Sequence, residues 1–170
     1  REAFARAYQR ITNAAPDLRL LVAAYFNDLG PNLETVLALP VAGVHLDLVR
    51  GPGDLERALE RIPDTMVLSL GIVNGRNVWK TDLVAALKHL ERAVFALGSE
   101  RIQVAHSCSL LHAPVDLDRE ALMDDEMRTW FAFARQKIDE VVVLAPPAPQ
   151  VVLRPPPRIQ PPALSPDQQE

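Results

Sequence analysis

The chain has 170 residues, 48% hydrophobic and 24% charged, with a formal net charge of -4 and a pI of about 5.6. That is room for one domain with a sizeable core. The mild acidity and the lack of any Lys/Arg block argue against nucleic-acid partners and anionic membranes. A single cysteine, Cys108, rules out an internal disulfide and fits a reducing, cytoplasmic compartment. Apolar runs are strand-sized, short of the roughly 20 residues a membrane helix needs. The first residue is Arg rather than Met and no secretory pattern follows, so the chain reads as a piece of a longer or processed product.

Phe4, Ala7, Tyr8 and Ile11 recur at helical spacing, which predicts a helix over residues 1–15 that ends at Pro16-Asp17. Residues 18–25 form a nearly continuous apolar run, as in a strand buried on both faces. Gly30-Pro31 opens a short helix with Leu33, Val36, Leu37 and Leu39. A second strand is expected over residues 41–49. After the Gly51-Pro52-Gly53 turn, Asp54 is the expected N-cap of a helix with Leu55, Ala58, Leu59 and Ile62. A third strand covers residues 66–73, and Asn74-Gly75-Arg76-Asn77 is a polar loop. Trp79, Leu83, Ala86, Leu87, Leu90, Val94 and Leu97 make one helical stripe, closed by Gly98. A fourth strand, residues 102–107, and a polar stretch, 109–118, precede a last helix over 124–144. Its expected inner face is Met127, Trp130, Phe131, Ala134, Ile138, Val141 and Val142.

Strand and helix alternate four times. This implies parallel strands with right-handed crossovers, either half of an eight-fold barrel or a small open sheet. Nine of the 15 prolines fall between Pro146 and Glu170. That tail is expected to be disordered or polyproline-like, because proline lacks the donor that helix and sheet require. It reads as a solvated tail or a shifted reading frame past Ala145. The alternative is an interaction module whose Pro-rich segment docks in an SH3-type groove.

Several constellations could carry chemistry. The Gly51-Pro52-Gly53 turn lacks a third glycine, since Glu56 stands there, and reads as a tight turn rather than a nucleotide fingerprint. His106, Cys108 and His112 cluster near the end of the fourth strand, yet a zinc site needs three or four ligands and no second cysteine exists. No metal site is assigned to them. His45 and Asp47 share one strand face. Asp47 is either a strand-end carboxylate for acid–base work or half of an ion pair with Arg50 or Arg76. The loop at Arg76 and Asn77 offers a guanidinium fork, which either binds a carboxylate or ties neighbouring strand ends together. His89 reads as a surface residue, and Trp79 and Trp130 as packing.

Longer motifs then line up in one order. They are residues 31–35 (PNLET), 38–49 (ALPVAGVHLDLV) and 68–79 (LSLGIVNGRNVW). After them come 107–112 (SCSLLH) with Pro114, Val115 and Asp116, and 130–134 (WFAFA) with Gln136 and Lys137. Together, over about residues 1–145, they resemble the amino-terminal barrel of cobalamin-independent methionine synthases. The resemblance implies two facing (β/α)8 barrels that transfer a methyl group from methyltetrahydropteroyl-polyglutamate to homocysteine. It places zinc, the homocysteine contacts and the proton donor in the carboxy-terminal catalytic barrel, and the folate-tail contacts mainly upstream of Arg1. No catalytic residue and no cofactor is therefore expected in this chain. Two departures stand out: His106 sits where the family has a small residue or proline, and the similarity stops after Ala145.

The expected fold is α/β, a partial (β/α)8 barrel of about four βα units over residues 1–145, followed by the Pro-rich tail 146–170. The expected function is scaffold for methionine biosynthesis, inactive alone, with a strand-end surface facing the catalytic barrel. Asp47, Arg76, Asn77, Ser107 and His112 are the candidates on that surface. A stand-alone barrel enzyme of the related decarboxylase type would need eight strands, and four do not close a barrel.

Overall fold

A computed structural model describes residues 1–145. The expected disorder of the Pro-rich tail and its reading as an interaction module fall on residues 146–170, outside the described residues.

Helix α1 (Glu2–Ala14) leads into strand β1 (Leu21–Ala23), a single turn at Gly30–Asn32, and α2 (Leu33–Leu37). Strand β2 (Gly43–Asp47), α3 (Asp54–Leu59), β3 (Val67–Val73), α4 (Leu83–Leu97) and β4 (Ile102–His106) follow. Two further helices close the described chain, α5 (Asp125–Arg128) and α6 (Ala134–Leu144). The four strands form one parallel sheet in sequence order, β1-β2-β3-β4. The alternation expected from the sequence is thus present.

The strand period of two divides the sheet into unlike faces. Val44, Leu46, Leu68 and Leu70 are essentially inaccessible and join Leu33, Leu55, Ala58, Ala86, Leu90 and Ala93 of the helices in one core. The register puts Ala23, His45, Ser69 and Gln103 in one row of the opposite face, with Asp47, Gly71 and Ala105 in the next. That second face is small and polar. Gly71 lets it pack: a Cβ there would lie 2.6 Å from the Leu46 carbonyl oxygen and 2.9 Å from the His45 ring.

Four expectations need correction. β1 is only three residues long and lies at the sheet edge. Among the described residues no strand pairs with its outer side, so Leu18, Leu21 and Tyr25 stay about half exposed and only Val22 is buried. Gly53, not Asp54, occupies the cap position of α3, because the Gly51 carbonyl accepts the Asp54 amide and draws Asp54 into the first turn. The buried Asp54 carboxylate instead accepts the Leu29 amide and pairs with Arg57.

α4 starts at Leu83 rather than Trp79. Asp82 caps it by accepting the Ala85 amide at 3.0 Å. Its buried residues are Ala86, Leu90 and Ala93, while Leu87 is exposed. Gly98 ends it at φ 80°, as the glycine predicted.

The helix expected over 124–144 is broken. Trp79 and Phe131 form an antiparallel bridge; Lys80 donates to the Trp130 carbonyl and Ala132 to that of Val78. Those bonds hold residues 130–132 extended, and the helical phase restarts at Ala134. The buried residues around the restart are Ala132, Phe133, Lys137 and Leu144, whereas Met127, Trp130, Ile138 and Val142 are exposed.

Candidate functional site

The carboxyl ends of β1, β2, β3 and β4 converge at one rim of the sheet, and all five sequence candidates lie there. Asp47 ends β2 and is buried. Its Oδ2 accepts the Phe26 amide at 2.9 Å, and its Oδ1 accepts those of Val49 and Arg50 at 3.1 and 3.0 Å. The carboxylate therefore ties the exit of β1 to the exit of β2. The ion pair with Arg50 or Arg76, one of the two readings of Asp47, does not form; Arg50 meets Asp47 through its backbone amide.

Phe26 is the one non-glycine described residue with a left-handed backbone, φ 74°. Side chains at such positions cost about 1–2 kcal/mol, so the Asp47 bond to its amide helps hold it. The Arg76 guanidinium lies 4.8 Å from the centre of the Phe26 ring. The His112 ring meets the same ring edge-on at 5.7 Å. Arg76 and His112 are exposed, and Phe26 is 44% exposed. Tyr25 meets His45 edge-on at 5.5 Å.

Ser107 and Asn77 support the loop that carries Arg76. The Ser107 hydroxyl accepts the Gly75 amide at 3.2 Å. Gly75 itself packs against Cys108, where a Cβ would lie 2.6 Å from the backbone oxygen. Asn77 Oδ1 accepts Lys137 Nζ at 3.4 Å, and the Trp79 carbonyl accepts it at 2.9 Å. Lys137 is fully buried, and burial pushes its amine below the usual lysine range against the pull of Glu140. Glu140 in turn accepts from the Thr81 amide and hydroxyl.

His45 lies across the small face of the sheet. Its Nε2 approaches the Ser107 carbonyl oxygen at 3.4 Å, and its Nδ1 lies 2.9 Å from Ser69 Oγ. A carbonyl only accepts, so the proton belongs on Nε2 and the Ser69 hydroxyl donates to Nδ1. Burial holds the imidazole below its usual pKa; the Ser107 carbonyl and Asp47 act the other way. One ring thus joins β2, β3 and the first residue after β4.

The His106, Cys108 and His112 set does not fit a metal. Burial raises the Cys108 thiol above its usual pKa and opposes the thiolate a metal needs. His112 is engaged with Phe26, and His106 Nε2 has no hydrogen-bond partner among the described residues. No three His, Cys, Asp or Glu side chains gather around one point among the described residues. Trp79, His89, Asn74 and Asn77 instead line a shallow cavity of about 270 Å³ with Thr81 and Asp82.

Beyond the candidate loop, Asp116 bonds Gln136 and Arg135 and caps the turn at Asp118. These bonds, Gln136 first, draw its carboxyl down to about 2. This ties the segment after Ser109 to α6. Phe26, Ser69 and Lys137 were not singled out for this site from the sequence. Lys137 gave no signal, because the expected inner face of its helix ran through Ala134 and Ile138 and left position 137 outside. Phe26 gave none, because its backbone conformation depends on Asp47.

Residues 1–97 match the family model described as the cobalamin-independent synthase, N-terminal domain. The chain is 53% identical over 140 residues to a 5-methyltetrahydropteroyltriglutamate–homocysteine methyltransferase of Caulobacter vibrioides, covering 82% of this chain and 18% of that protein. A protein of the same name from Salinibacter ruber is 53% identical over 146 residues, 85% of this chain and 19% of the relative. One from Mesorhizobium japonicum is 49% identical over 145 residues with the same shares. The chain thus spans less than a fifth of the length of these curated relatives.

Proposed function

The chain belongs to the cobalamin-independent methionine synthase family, within its N-terminal domain, and on that premise we propose that residues 1–145 are one half of that domain's (β/α)8 barrel. Four parallel strands in sequence order, backed by helices on one face, are what half of such a barrel requires. The whole protein would transfer a methyl group from methyltetrahydropteroyl-polyglutamate to homocysteine in the cytoplasm. This chain would contribute scaffold and a strand-end surface facing the rest of the enzyme.

The observation that carries this reading is the unbroken match of more than four-fifths of the chain at about half identity. The rim chemistry supports the division of labour. Asp47, Ser107 and Asn77 are committed to holding loops. Arg76 and His112 are left facing outward. Among the described residues, His106, Cys108 and His112 do not form a metal-ligand set.

Grafting tests the proposal. Residues 1–145 replace the matching segment of the Caulobacter vibrioides relative, and methionine formation is measured. We expect turnover within about tenfold of the parent, a barrier change of about 1.4 kcal/mol. A folded graft that forms no methionine would overturn the proposal.

A further inference from the structure

We propose that His106, at the end of β4, is a proton-operated latch for α6: the neutral ring lets the helix seat on the sheet, and the protonated ring releases it. The device stands on geometry within this chain and does not depend on the function proposed above.

His106 Nε2 is buried and has no hydrogen-bond partner among the described residues. A neutral imidazole carries one N–H and one lone pair, and an imidazolium carries two N–H groups. The proton of the neutral ring is assigned to Nδ1, since an N–H at Nε2 would lack an acceptor. A second proton would turn the bare lone pair into a buried, charged donor with nothing to receive it. A buried charge without a partner costs far more than a buried lone pair.

The surroundings add to that cost. Lys137 of α6 is fully buried, its amine held by Asn77 Oδ1 and the Trp79 carbonyl. Its ammonium repels an imidazolium, as does His45 of β2 once charged. Glu140 of α6 attracts one, but its two oxygens already accept the Thr81 amide and hydroxyl. β3 pairs Val73 with His106 and brings no charge. Burial is the largest influence and holds the ring below its usual pKa; the Lys137 backbone opposes it.

The helix is seated lightly enough to leave before the sheet unfolds. The buried residues of α6 are Lys137 and Leu144, so one of its two anchors is the charge nearest the latch. The segment just before it hangs on the backbone of residues 78–80 through the Trp79–Phe131 bridge. Elements with few buried apolar contacts open locally, at lower free energy than the core. The core strands β2 and β3 are buried throughout most of their length.

The test is amide hydrogen exchange of the 170-residue chain by NMR between about pH 7.5 and 5, corrected for intrinsic rates. Opening takes up one proton, so protection of the α6 amides from Ile138 to Val143 should fall about tenfold per pH unit below about pH 6.5. Amides of Leu68 and Leu70 in β3 should stay better protected at every pH. Tryptophan emission should change over the same range as the Trp79–Phe131 bridge parts. His106→Leu, which cannot take a proton, should hold α6 protection nearly constant with pH, and His106→Gln decides the matter if the leucine variant fails to fold. His45→Gln should keep the α6 transition. Protection of α6 that falls equally in both His106 variants would overturn the proposal. So would α6 and β3 amides that always exchange together, or α6 protection in the parent that does not change with pH.

Discussion

Asp47 spends both carboxylate oxygens on backbone amides, and that decides what its removal does. Three charge-assisted bonds in a buried setting are lost together. Asp47→Ala should cost about 2–4 kcal/mol in urea denaturation. Arg76→Ala, which breaks no hydrogen bond, should stay within about 0.5 kcal/mol. His45 sets a pH dependence. Its folded pKa lies below the 6.5 of the free side chain, so the unfolded chain takes up the proton first as pH falls. Stability is therefore complete above about pH 6.5 and declines below it. His106 shifts in the same direction and adds to the slope. Urea midpoints between about pH 7.5 and 5 should fall, and His45→Gln should flatten part of the decline. Strand periodicity made the shared face of His45 and Asp47 legible in the sequence. Their partners were not, because one is the amide of Phe26 and the other the carbonyl of Ser107, each in a loop just past the end of another strand.

Among the elements, α6 carries the clearest gap between pattern and packing. Trp130, Phe131, Ala134 and Ile138 keep helical spacing, yet residues 130–132 pair with 78–80 and the phase resets at Ala134. Spacing alone cannot show that a distant strand segment satisfies the same backbone groups. The reset puts Lys137, not Ile138, in the interior. Lys137→Met keeps most of the buried stem but leaves the Trp79 carbonyl without its donor. We expect a loss of about 1–3 kcal/mol, with a change in tryptophan fluorescence as the Trp79–Phe131 bridge loosens. An unchanged melt would show that the lysine contributes nothing to docking α6. By contrast β3 and β4 were found to within a residue at each end, while β2, expected over residues 41–49, spans only Gly43–Asp47. The outer strand β1 was overestimated, since burial on both faces needs a neighbour on each side.

For the molecule as a whole, sequence order sets sheet order. Each short crossover returns the chain to the neighbouring position, so the βα alternation was enough to read the parallel sheet. The small, polar face was less legible: it depends on register, which puts Ala23, His45, Ser69 and Gln103 in one row. The convergence of five dispersed candidates on one rim follows from the same register, and it is the central claim. NMR contacts from the Phe26 ring test it directly, in the parent chain and in Asp47→Asn. The account predicts contacts from that ring to both Arg76 and His112 in the parent, and their joint loss in the variant while the β2–β3 contacts remain. A Phe26 ring that touches neither residue, or one whose contacts survive Asp47→Asn unchanged, would contradict it.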